Sequence, residues 1–159
     1  MGVHTFTILE EASPIAPARL FKAMCLDNHN LIPKVVPHLV KSIDFVEGDS
    51  TVVGCVKQFN LAEGSPYTYV KGKLNEIDVD NHYVKYTNFE GDLLGDLLEC
   101  VVYENKFEAS GSGSQCKVVA HYHTKGDTVV TEEQVNTGFQ GMLLKAVGDY
   151  LSNNPDVYA

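Results

Sequence analysis

The pattern of apolar and polar positions changes twice along the chain. Residues 3–11 alternate loosely and carry Thr, Phe and Ile, which predicts a first β-strand. Ser13, Pro14 and Pro17 break it. Over 16–26, Leu20, Phe21, Met24 and Cys25 recur at helical spacing. Pro33 and Pro37 bracket a second short helical piece over 34–40, since proline starts or ends a helix far better than it continues one. The two pieces predict a V of short helices. From 43 to 124 the period becomes two, cut by turn residues at 47–50, 63–66, 78–81, 90–92 and 110–114, which predicts a meander of antiparallel strands. Within it, Val101, Tyr103, Asn105 and Phe107 share one strand face, while Val102, Glu104 and Lys106 share the other.

The last stretch returns to helical spacing. Val135, Phe139, Met142, Leu143, Ala146, Val147, Tyr150 and Leu151 recur at steps of three and four, giving one apolar stripe. Thr131 and Gln134 read as a capping box for its first turn. Gly138, Gly141 and Gly148 lie inside it, each costing about 1 kcal/mol relative to Ala, so packing must hold this helix.

These elements predict an α+β fold in which a seven-stranded curved antiparallel sheet wraps around a long C-terminal helix, beside two short helices. One helix cannot fill so curved a sheet, so part of the concave side stays hollow as an internal cavity. The 159 residues form one expected domain, 1–159, long enough to bury a core without metal or disulfide staples.

Strand parity selects the inward set. It comprises Lys57, Phe59 and Leu61; Tyr67 and Tyr69; Val84, Tyr86 and Asn88; Val101, Tyr103 and Asn105; and Val118, Ala120 and Tyr122. The helix adds Phe139, Met142 and Leu143, and the V adds Ile32 and Val40. Apolar walls with a few tyrosine hydroxyls suit a flat amphipathic molecule. Period two alone favours a solid core over a cavity. Lys57 argues for a cavity, because an inward lysine needs a carboxylate partner or a cavity mouth.

Charge and motifs narrow the chemistry. Twelve basic residues against twenty-one acidic ones give a net charge of −9 with no basic run, which disfavours nucleic acid or an anionic membrane as the main partner. No apolar run reaches membrane-spanning length and no secretory leader is expected, so the four dispersed cysteines read as reduced thiols in the cytosol. His121 and His123 share a strand face, but the parity that turns Tyr122 inward turns them to solvent, and no third metal ligand is evident. Residues 47–54 lack the Lys-Ser of a phosphate-binding loop and read as a hairpin turn. No motif calls for a metal or a cofactor.

Several motifs in order resemble the Bet v 1 family, the plant pathogenesis-related class-ten proteins named after the major birch pollen allergen. They are Ala18-Arg19-Leu20-Phe21-Lys22-Ala23, Asn30-Leu31-Ile32-Pro33-Lys34 and Val46-Glu47-Gly48-Asp49. Further on come Gly95-Asp96-Leu97-Leu98-Glu99, Tyr122-His123-Thr124-Lys125-Gly126-Asp127, and Tyr150-Leu151 with Asn154-Pro155-Asp156. The resemblance runs over the whole chain. It implies the helix-grip fold, a monomer, a large cavity for small hydrophobic or amphipathic molecules such as cytokinins, brassinosteroids, flavonoids and fatty acids, and a role in plant defence or hormone handling. Two departures border that cavity: the glycine-rich loop lacks its middle glycines, and the stretch before Leu143 is about two residues short.

Two enzymatic alternatives attach to the same fold. Ribonuclease activity attributed to the family rests on the loop and on an acidic helix residue, where this chain has Gly148 beside Asp149. A norcoclaurine-synthase-like enzyme needs a cavity lysine with acid partners, and Lys57 stands at a different position from the one used there. The gate and latch of abscisic acid receptors are both missing. A binding module is the stronger reading.

Overall fold

A computed structural model of the chain describes residues 2–131 and 138–159. The strands are β1 (Gly2–Ser13), β2 (Val40–Glu47), β3 (Val56–Leu61), β4 (Tyr69–Asp78), β5 (Tyr83–Gly91), β6 (Leu98–Ser110) and β7 (Gly113–Thr124). They form one antiparallel seven-stranded sheet in the order β1-β7-β6-β5-β4-β3-β2. Register shifts interrupt four of its strand pairs, for example at Thr7/Leu9, Leu74/Glu76 and Leu98/Cys100. Extra residues of this kind bend a strand and increase its twist, which is how the sheet acquires its curvature.

The helices are α1 (Pro17–Phe21), which runs on as a π-helical turn over 22–26, α2 (Asn28–Val35) and α3 (Phe139–Asn153). The sequence places the second arm of the V at 34–40, but α2 lies earlier and Pro33 is inside it. A proline there removes the N–H that would reach the His29 carbonyl and crowds that carbonyl, yet the helix continues past it. The Val36 N–H still closes the helix on Ile32 O at 2.9 Å, and Pro37 ends it. Val40 therefore opens β2 instead of closing the V.

The sheet grips α3. A Cβ added at Gly141 would meet Glu11 Oε1 at 3.6 Å and Leu9 Cδ1 at 3.9 Å, and one at Gly148 would meet Ser13 Oγ at 3.7 Å. These glycines, two turns apart, are where the helix crosses β1. Gly138 is not in the helix interior: it precedes the first turn with φ 73°, a left-handed conformation that glycine adopts without penalty. The capping box at Thr131 and Gln134 and the stripe position Val135 involve positions outside the described residues. At the other end, Arg19 reaches across from α1. Its Nε donates to Val157 O at 2.7 Å, and its Nη2 to Leu151 O at 2.8 Å and Asn154 O at 2.6 Å. One planar guanidinium thereby satisfies the orphan carbonyls at the end of α3 and ties the C-terminal tail to the V.

Candidate functional site

Residues directly opposite in an antiparallel pair share a face, so the register defines the inner surface. One row runs Phe45, Lys57, Gly72, Asn88, Val101, Tyr122 and His4 across all seven strands. The next runs Leu74, Tyr86, Tyr103, Ala120 and Phe6, and a third runs Ile77, Val84, Asn105, Val118 and Leu9. Gly72 makes room in the first row: a Cβ there would come within 2.7 Å of Asn88 Oδ1.

Most of the inward set from the sequence lies on this surface. Lys57, Val84, Asn88, Val101, Tyr103, Asn105, Val118, Ala120 and Tyr122 are buried, as are Ile32, Val40 and Leu143 around them. Phe59, Leu61 and Phe139 are partly buried against Ile32, Val36, Val40, Ile43 and Leu143. Tyr86 stacks on Tyr103 with ring centroids 5.1 Å apart, and Phe6 meets Tyr122 edge-on at 6.0 Å.

Three members of the set lie elsewhere. Tyr67 sits in the turn before β4 and is 38% exposed. Tyr69 is on the outer face, where its hydroxyl donates to Glu90 Oε2 at 3.2 Å. The register pairs Phe59 with Val70, so β4 turns Val70, Gly72 and Leu74 inward. Counting from Tyr67 starts the alternation inside a turn and inverts the whole strand. Met142 is 49% exposed, and Leu144 is the buried neighbour of Leu143 in its place. The apolar stripe of α3 is wide enough for either parity, and packing on β1 decides it.

The inner surface also carries a polar network that spacing alone does not reveal. Asn105 on β6 and Gln140 on α3 act on the Tyr86 hydroxyl, and Asn105 also acts on the Cys25 thiol of the π-helical turn, each favouring the ionised form against burial. Tyr122 and Asn88 act on the Tyr103 hydroxyl from the same face. Burial raises all three tyrosine hydroxyls above their ordinary range, so they stay protonated donors across physiological pH. Burial likewise pushes the Cys25 thiol up to about 12. Asn105 is 8% exposed, and its buried Oδ1 has no hydrogen-bond partner. Such an orphan acceptor costs about 1–3 kcal/mol unless something donates to it. Of these groups, Cys25 appears in the sequence only as one more apolar position of a helix, and Gln140 and Gly72 carry no signal in local spacing.

Lys57 extends the network toward α2. Its Nζ donates to Asn28 Oδ1 at 2.6 Å and lies 5.3 Å above the Phe45 ring. Burial lowers its pKa. On the outer face, His121 bonds Thr5 at 2.8 Å and Glu104 at 2.6 Å. Among the described residues, no three His, Cys, Asp or Glu side chains gather as metal ligands. No described helix is long and apolar enough to cross a membrane.

The buried apolar side chains fall into two clusters. One holds Ile32, Val36, Val40, Ile43 and Leu143; the other runs from Leu9 and Phe21 through Tyr103 to Leu151. The partly buried Met24 and Val35 pack against both, so the smaller cluster is a satellite of the main core.

Residues 1–154 match the model of the pathogenesis-related protein Bet v 1 family. The chain is 50% identical to the pathogenesis-related protein STH-21 of Solanum tuberosum, with 100% of each covered. It is 47% identical to the major allergen Mal d 1 of Malus domestica, with 99% of each covered. Among solved structures, Ara h 8.0201 superposes with a TM-score of 0.84 at 36% identity, covering 96% of this chain and 100% of that one. Norcoclaurine synthase from Thalictrum flavum superposes with a TM-score of 0.78 at 16% identity, covering 95% and 87%. At that identity the likeness is one of fold alone.

Proposed function

Because the chain belongs to the Bet v 1 family of pathogenesis-related proteins, we propose that it holds small amphipathic apolar molecules between the concave sheet face and α3. The observation that carries this reading is the inner polar network, with its line of protonated tyrosine hydroxyls and the orphan acceptor Asn105 Oδ1. A core evolved only for packing gains nothing from an unsatisfied amide. A bound molecule with one hydroxyl or N–H would satisfy it. Its rings would bury against Phe59, Tyr86, Phe139 and Leu143, while Tyr86 and Tyr122 orient its polar end.

Flat phytohormones such as cytokinins, and flavonoids, fit this description. The proposed role is a monomeric carrier or buffer in the cytosol, one ligand-binding domain over 1–159, serving plant defence or hormone homeostasis. Isothermal titration calorimetry against a cytokinin, a flavonoid, a brassinosteroid, a fatty acid and abscisic acid tests it. Micromolar binding of at least one, weakened about tenfold or more in the Tyr86→Ala, Phe139→Ala double variant, is the expected outcome. No heat from any of the five would contradict the reading.

A further inference from the structure

We propose that Lys57 is an anion receptor within this interior, selecting among flat apolar molecules those that carry a carboxylate. The inference rests on the ligand-binding reading above. Lys57 is 6% exposed on the inner face of β3, and a lysine is almost never so buried without a counter-charge. Its contacts are the Asn28 amide oxygen at 2.6 Å and the Phe45 ring at 5.3 Å, both electrically neutral. Among the described residues, no carboxylate stands within ion-pairing distance of it.

The acid nearest in sequence to Asn28 is already committed elsewhere. Asp27 accepts hydrogen bonds from the Tyr158 hydroxyl and, at 2.8 Å, from Asn30 Nδ2, and it faces His29 Nε2 at 3.5 Å. Lys22 sits over the Tyr158 ring at 5.4 Å and helps hold that tail residue in place. The other titratable groups acting on Lys57 are the thiols Cys25 and Cys55 and the imidazole His29. Burial pushes Cys25 up to about 12, which keeps it a neutral thiol, and lowers His29, which keeps it a neutral imidazole at neutral pH. Asp27 attracts the Lys57 ammonium only from beyond ion-pair distance, so a buried ammonium held directly by an amide oxygen and a ring is only partly compensated. A ligand carboxylate would compensate it through a charge-assisted hydrogen bond of the stronger kind. Beside Lys57 on β4 is Gly72, which adds no side chain of its own, and the Asn88 amide oxygen fills the space over it. The net charge of −9 repels acids, so any preference for one must arise locally.

The test compares 2-naphthylacetate with its uncharged isostere 2-naphthylacetamide by calorimetry on the full chain. The wild type is expected to bind the acid at least about tenfold tighter than the amide. Lys57→Gln is expected to bring the two within about twofold while amide binding persists, and Lys57→Arg to keep the preference. If Lys57→Gln does not fold, a wild-type pH series decides. Burial lowers the Lys57 pKa, so the preference should fade as pH rises from 7 toward 10, earlier than for an exposed lysine. Acid and amide binding alike in the wild type, a preference unchanged in Lys57→Gln, or one constant with pH would overturn the inference and leave the cavity reading standing. Neither probe binding would overturn both.

Discussion

On the outer face of the sheet, His121 joins β7 to β1 and β6. Thr5 Oγ1 lies 2.8 Å from its Nδ1, Glu104 Oε2 lies 2.6 Å from its Nε2, and the Tyr83 hydroxyl donates to Glu104 Oε1 at 2.7 Å. The His121 and Tyr83 hydrogen bonds hold the Glu104 carboxyl below its ordinary pKa. A depressed carboxylate pKa contributes stability that is present above the unfolded value of about 4.3 and is lost as pH falls through the folded one. The half-exposed site limits the effect to a few tenths to about 1 kcal/mol. Glu104→Gln is therefore expected to lower the urea midpoint at pH 7 and to match the wild type near pH 3. An equal deficit at both pH values would assign the loss to packing instead. The outward pointing of His121 is legible in β-parity. Its partner is not, because Glu104 is set beside it by register between strands, which the pattern of a single strand does not contain. Tyr69 fails for the same reason: alternation is visible there, but the pairing with β3 that fixes its phase is not.

At the scale of elements, α3 is held by packing against β1 at Gly141 and Gly148. A methyl group at either position would find ordinary contacts at 3.6 Å or more, with no clash. Gly141→Ala and Gly148→Ala are each expected to stabilise the protein by about 0.5–1 kcal/mol, read as a higher melting temperature. If these glycines serve ligand entry, the same variants should also slow association, measured by stopped-flow. Arg19 works in the opposite sense. Arg19→Ala removes three charge-assisted bonds to carbonyls and is expected to cost about 2 kcal/mol or more in urea unfolding. Arg19→Lys should recover little, since a single ammonium cannot span three carbonyls. The helical stripe over 139–151 and the strand-turn rhythm over 43–124 are legible in the sequence because burial of one face enforces a period. The placement of α2 is not, because Pro33 signals a break that this helix runs through before Pro37 ends it.

Across the whole molecule, the seven strands and α3 build an inner surface whose apolar residues divide into two clusters and whose polar residues form a network ending in an orphan acceptor. The sheet, the grip on α3 and most of the inner wall follow from periodicity and family resemblance. The network does not, since Cys25, Asn28, Asn105 and Gln140 come from four different elements that only the fold brings together. The central claim is that a small molecule occupies this interior. Its most direct test is an NMR titration of the isotopically labelled protein with 2-naphthylacetamide, followed by intermolecular nuclear Overhauser contacts. The account predicts contacts from the naphthyl ring to Phe59, Tyr86 and Leu143, with the Asn105 side-chain amide shifting on saturation. Contacts confined to outer-face residues such as Tyr69 and Val3, or no saturable shift at inner positions, would contradict it.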